Sequence, residues 1–162
     1  YALGTKKGRG IVKLYDINNV LLKHWSAFYK GGVIPRLITL DNQYFVLATK
    51  RKSGSTMHMY DVNGEILAKK RLSPKLHWRQ PAVGNLNDTN NTEEIAVTAQ
   101  RGSTLYIRIY SFNTKKNTFH LLKQTSYQNI NKDYRVEIQD KHVVVLLNHV
   151  GKTVFSWVPF EE

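Results

Sequence analysis

The sequence predicts an all-β protein built from repeated four-stranded antiparallel units. Three observations carry this. Short alternating apolar segments recur along the chain, helical periodicity is almost absent, and one turn chemistry returns at near-constant spacing. The recurring segments are GRGIVKLYDINN from Gly8, GSTMHMYDVNGE from Gly54, GSTLYIRIYSFNTK from Gly102 and GKTVFSWVPF from Gly151. Each opens on Gly and a polar turn, alternates apolar residues and reaches an aromatic. The aromatic markers Tyr15, Tyr60, Tyr110 and Trp157 are spaced 45, 50 and 47 residues apart.

The other strands follow from these markers. Before each Gly turn lies a short β-rich segment: YALGT at Tyr1, YFVLATK at Tyr44, EIAVTAQ at Glu94 and HVVVLLN at His142. After the first three markers come VLLKHWSAF, EILAKKRLS and NTFHLLKQTSY. The connecting Asp16-Ile17-Asn18-Asn19, Asp61-Val62-Asn63-Gly64 and Asn113-Thr114-Lys115-Lys116 hold residues that tolerate positive φ, as tight hairpins require. VIPRLITL, WRQPAVGNL and YRVEIQD each supply a further strand. Lettering the strands of a unit A to D, the chain runs BCD, ABCD, ABCD, ABC, fourteen strands in all. A period of about 40–50 residues with several strands per unit is that of a β-propeller blade. A β-sandwich also spaces its strands regularly, but it does not call for repeated turn chemistry. The expected fold is therefore a β-propeller of about three and a half blades, with blade segments near residues 1–31, 32–77, 78–127 and 128–162. Propellers close with roughly 4–8 blades. The expectation is a piece of a larger propeller, an assembly of several chains, or a compact four-bladed ring closed by its two ends.

The 162 residues carry 24 Lys and Arg against 12 Asp and Glu, a net charge of +12, and no cysteine. Disulfides, zinc knuckles and a thiol nucleophile are thereby excluded. The longest purely aliphatic run is residues 143–147. A membrane helix needs about 20 apolar residues, so no membrane insertion is expected. The first ten residues lack a signal-peptide core, so an export signal would lie upstream of Tyr1.

The positive charge is placed unevenly. The turns between strands B and C, at residues 4–10, 48–55, 99–104 and 148–153, hold 27 residues and eight cations where an even spread gives four. These are Lys6, Lys7, Arg9, Lys50, Arg51, Lys52, Arg101 and Lys152. Equivalent turns of successive blades share a face, so a basic arc able to concentrate anions is expected there. The four turns contain no aromatic residue, which ranks nucleic acid below other anionic polymers.

Catalytic and metal signals are weak. His24, His58, His77, His120, His142 and His149 show no metal-ligand spacing. No G-x-S-x-G elbow occurs, and Gly8-Arg9-Gly10 precedes no helix. No carboxylate pair suggests acid–base chemistry. Trp25, Trp78 and Trp157 are expected to fill wedges between sheets more than to stack on sugars. Asn87-Asp88-Thr89 and Asn90-Asn91-Thr92 are formal glycosylation sequons within an Asn-rich turn.

One segment resembles a known family. Ala82-Val83-Gly84-Asn85-Leu86-Asn87-Asp88-Thr89-Asn90-Asn91-Thr92-Glu93-Glu94-Ile95-Ala96-Val97 is similar to the FG-GAP/VCBS repeat of integrin-alpha-like propellers, roughly V-G-D-L-N-G-D-G-x-D-E-I-V-V. RKSGSTMHMYDVNGEIL and GRGIVKLYDINNVLLKHWSAFYKGGV resemble the G-G-x-H-V-x-V-F-D-x-x-G-x-x-L segment of bacterial surface propellers of this group. The resemblance implies a non-enzymatic recognition or assembly module, extracellular or at the cell surface, that binds a protein or an anionic glycan through its loop faces. It also implies a calcium loop at Asn85, Asn87, Thr89 and Asn91, closed by Glu93 or Glu94. Here amides replace carboxylates and the loop Gly is missing, so the site is degenerate. No cofactor is required and calcium occupancy is not expected. The alternatives are the propeller domain of a polysaccharide-active enzyme and a structural unit that oligomerises through open sheet edges.

Overall fold

The computed structural model describes residues 2–6, 9–27, 38–41, 43–51, 54–72, 76–78, 81–86, 93–128, 134–149 and 152–159. Every regular element among them is a β-strand, and every strand pairing is antiparallel. No helix among the described residues is long and apolar enough to cross a membrane.

The strands form four separate sheets of sequential neighbours. Sheet 1 holds β1 (Ala2–Lys6), β2 (Arg9–Tyr15) and β3 (Leu21–Ala27). Sheet 2 holds β4 (Ile38–Leu40), β5 (Tyr44–Arg51), β6 (Gly54–Asp61) and β7 (Ile66–Arg71). Sheet 3 holds β8 (His77–Trp78), β9 (Ala82–Gly84), β10 (Glu94–Arg101), β11 (Thr104–Asn113) and β12 (Thr118–Tyr127). Sheet 4 holds β13 (Tyr134–Gln139), β14 (His142–His149) and β15 (Lys152–Pro159). The grouping is the one expected from the sequence, with two corrections.

The segment WRQPAVGNL contributes to two strands, so fifteen strands occur among the described residues. β8 and β9 both pair with β10, on either side of a gap that contains Pro81. Proline has no N–H to give a ladder, so a strand breaks there readily. The second correction concerns Trp157. Tyr60 lies opposite Phe45 and Tyr110 opposite Ile95, but in sheet 4 the matching partner of Val143 is Val158. Trp157 is one residue out of step, because register is set by hairpin closure and not by where an aromatic falls.

The sheets share local detail. The pairing shifts by one residue at Leu14/Tyr15, Met59/Tyr60 and Ile109/Tyr110. The extra residue on the partner strand is Leu22, Leu67 or Leu122, a β-bulge at one position in three sheets. The turn that follows is also shared. Asp16 Oδ1 accepts from the amides of Asn18 and Val20 at 2.9 and 2.8 Å, and Asn19 has φ 61°. Asp61 Oδ1 accepts from Glu65 N at 2.8 Å, and Gly64 has φ 80°.

Packing is serial. Val12, Phe45 and Tyr60 join sheets 1 and 2, with Trp25 tilted on Phe45 at 5.7 Å between ring centroids. The largest cluster joins sheets 2 and 3 and includes Val46, Met57, Met59, Val97, Tyr110 and Phe112. A third, with Leu105, Ile107, Ile109, Val143 and Val145, joins sheets 3 and 4. Each such side chain contributes about 1.5–3 kcal/mol by burial. Sheet 3 is covered on both faces, so its strands alternate between two cores. Ile95, Val97 and Ala99 face sheet 2, while Ala96 faces sheet 4. Among the described residues no core cluster joins sheet 4 back to sheet 1.

Candidate functional site

Each sheet turns back between its second and third lettered strands through a short hairpin. The closing pairs are Lys6 with Arg9, Arg51 with Gly54, Arg101 with Thr104, and His149 with Lys152. Every pair holds at least one Lys or Arg. The turns are thus tighter than the residue ranges expected from sequence, because strand pairing continues to two residues from each tip. Lys50 sits one step inward, opposite Ser55. Lys7 and Lys52 lie outside the described residues. Arg101 is exposed, and Gly102 adopts φ 58°, a conformation that favours glycine.

Three contacts fix how the hairpins sit relative to one another. Lys23 Nζ donates to Asn63 Oδ1 at 3.2 Å, bringing the Asp16 turn of sheet 1 beside the Asp61 turn of sheet 2. Asp41 N donates to Glu93 Oε2 at 2.6 Å, and Glu93 N donates to Asp41 Oδ1 at 2.9 Å. This reciprocal pair joins the turn after β4 to the turn before β10. Gly84, near the same end of sheet 3, lies against Ile138 of sheet 4, whose Cγ2 would be 2.6 Å from an added Cβ. These turns therefore occupy one end of the molecule in all four sheets. In an antiparallel meander the four hairpins must then occupy the opposite end.

The two ends differ in charge. Asp16, Asp41, Asp61, Glu65, Glu93, Glu94 and Asp140 all fall at the turn end, with Lys115, Lys116 and Lys141. The other described acid, Glu137, is in β13. No hairpin closing pair contains an acid. Cations gathered at one end add their fields.

The acids at the turn end serve as backbone acceptors. Glu94 is the extreme case, with 1% of its surface exposed. Its Oε2 accepts from Leu86 N at 2.8 Å, tying together the two sides of the segment 87–92. Burial, the largest influence, holds its carboxyl above the usual range; the Leu86 amide opposes that shift and the charges of Asp41 and Glu93 reinforce it. Of the calcium-type loop, Asn87, Thr89 and Asn91 lie outside the described residues. Asn85 is exposed, and Glu94 is engaged by Leu86. No group of three or more His, Asp or Glu able to hold a metal occurs among the described residues.

Sequence reasoning located the cations but missed the burial of Glu94 and the Asp41–Glu93 link. A signal for the first was present, since Glu94 directly precedes the apolar run Ile95-Ala96-Val97 of a central strand. The link joins residues 52 apart and leaves no local trace. Comparison with protein-family models, curated proteins and solved structures finds no match to this chain.

Proposed function

We propose that this chain is a β-propeller-type recognition module that binds an anionic polymer across its hairpin end. One observation carries the reading: all four sheets place a cation in the hairpin closing pair at one end, and no acid shares those pairs. The propeller assignment is supported by the strand grouping, the serial packing and the shared bulge. The resemblance to FG-GAP/VCBS repeats supports a non-enzymatic role outside the cell or at its surface. The mechanism is a rigid β scaffold presenting turns, with affinity set by summed electrostatics.

The test is binding to heparin and to polyphosphate across a salt series. Affinity falls as salt rises, and the double substitution Arg51→Glu/Arg101→Glu lowers it by about tenfold or more at low salt. Binding that survives the double charge reversal unchanged would overturn the reading. A second reading, assembly through sheet edges, draws on the outer sides of β1 and β15, which pair with no strand among the described residues. Light scattering across a concentration series tests it; a constant mass of 18.7 kDa removes it.

A further inference from the structure

The outermost strand of sheet 3 is an open edge. β12 pairs with β11 on one side and with no strand among the described residues on the other. Its ten residues span roughly 33 Å. β3 and β7 hold the same place in sheets 1 and 2, but they run only seven and six residues. An open edge presents unpaired N–H and C=O groups, and charged side chains or proline keep a second strand away from it. Half of β7 is cationic, as Lys69, Lys70 and Arg71. β12 has no acid, no proline and one cation, Lys123. Near its middle, Leu121 and Leu122 are left 42% and 41% exposed.

The bulge gives this edge a symmetry. Phe119, Leu121, Gln124 and Ser126 lie opposite Phe112, Tyr110, Arg108 and Tyr106, which alternate along β11, so the four share one face. Thr118, His120, Lys123, Thr125 and Tyr127 lie opposite Asn113, Ser111, Ile109, Ile107 and Leu105, and share the other. The change of phase falls midway along the strand, at Leu122. Residues equidistant from the strand centre therefore point the same way: Phe119 with Ser126, Leu121 with Gln124, His120 with Thr125, Thr118 with Tyr127. In a regular strand of even length such residues point to opposite faces. Antiparallel strands have to match faces pair by pair, and β12 meets that condition against a reversed copy of itself over its full length. β3 and β7 do not. Their bulges, at Leu22 and Leu67, fall beside their first residues, so Ala68 and Lys69 at the centre of β7 point to opposite faces.

We propose that two copies of this chain associate about a two-fold axis by pairing β12 antiparallel to β12, with Thr118 of each opposite the partner's Tyr127. The pairing satisfies the open amides and carbonyls of the edge. It lays Leu121 beside the partner's Gln124, and Leu122 beside the apolar stem of the partner's Lys123. The two Lys123 do not face each other, so no like charges meet across the junction. The same surface is used on both copies, so assembly closes at two. The dimer does not rest on the anionic-polymer reading, and it uses a different edge from β1 and β15.

The experiment is light scattering across a concentration series. The mass is expected to rise toward twice the 18.7 kDa of one chain. Leu122→Lys sets an ammonium opposite the partner's Lys123 twice per dimer and should raise the dissociation constant about tenfold or more. Leu22→Lys, the same change at the exposed bulge residue of β3, should leave it unaltered. Both leucines are exposed, so both variants should keep the wild-type melting curve. A second measurement stands even if Leu122→Lys fails to fold. The chain has no cysteine, so His120→Cys/Thr125→Cys should give a disulfide-linked dimer under mild oxidation. His120→Cys/Gln124→Cys, whose positions lie on opposite faces, should link far less. Three results would overturn the proposal: a mass that stays at 18.7 kDa up to about 1 mM, association that Leu122→Lys weakens no more than Leu22→Lys does, or equal linking by the two cysteine variants. A mass increase that survives Leu122→Lys assigns the association to other edges.

Discussion

The two ends of the sheets do opposite things with charge. At the turn end, carboxylates are consumed as structure: Asp16 and Asp61 cap their turns, Asp41 and Glu93 bind each other's amides, and Glu94 holds Leu86. At the hairpin end the closing pairs contain cations and no acid. The lesson is that the described acids at the turn end serve the fold, while the closing pairs at the hairpin end gather cations. Substitutions at the turn end should therefore cost stability. Those at the hairpin end should cost binding.

The largest effect is expected at Gly64. Its φ of 80° is unfavourable for any side chain, and an added Cβ would lie 2.5 Å from Cγ and Cδ2 of Trp25. Gly64→Ala should lose about 3 kcal/mol in a denaturant titration, from backbone strain and overpacking together. A loss below about 1 kcal/mol would show that Trp25 can move aside at little cost.

Glu94 follows. Glu94→Ala leaves the buried Leu86 amide without an acceptor and should cost about 2 kcal/mol. Glu94→Gln keeps an acceptor and removes the buried charge, so at neutral pH it should match or exceed the wild type. The pH dependence has a definite sign. Because folding raises the Glu94 pKa above the usual carboxylate range, the folded state holds this proton more tightly than the unfolded chain. Its contribution is fully present below the unfolded pKa and is lost as pH rises through the folded value. Glu94→Gln should flatten that part of the stability profile; an unchanged profile would mean the burial penalty is relieved in solution.

A smaller loss is expected for Asp61→Ala. It removes the acceptor of the Glu65 amide in an exposed turn and should cost about 1 kcal/mol. At the hairpin end, Arg101→Glu should change stability by less than about 0.5 kcal/mol while weakening heparin binding. If it unfolds the protein, the division between the two ends fails. Calcium and a chelator should leave the melting curve unchanged, since Glu94 is already bonded within the chain.

Much of this contrast was legible before the structure. The alternation of apolar residues and the recurring Gly turns gave the strand order and the four-sheet grouping, because period two and turn chemistry are local properties. Asp16 and Asp61 were recognisable as turn formers for the same reason. The basic residues could be assigned to hairpins, since their distance from the turn glycine is short. Three things could not be read. Trp157, a marker of the repeat spacing, stands one residue off the register position of Tyr60 and Tyr110, because hairpin closure fixes pairing. The Tyr106–Arg108–Gln124 face is split between two strands and depends on pairing across β11 and β12. The apolar residue Leu22 matches the pattern of Leu67, yet Leu22 is 60% exposed while Leu67 packs on the central core. The difference lies in which sheet stands next to each.

The sequence by itself thus determined that the chain is β throughout, where it turns, and which residues carry charge at each turn. These follow from backbone preferences acting over a few residues. Only the tertiary structure decided that sheet 3 is buried on both faces, that Glu94 is sealed from water, and that the cations of four hairpins stand at one end. Those facts depend on contacts between residues tens of positions apart, such as Asp41 with Glu93 and Gly84 with Ile138, which no local pattern encodes.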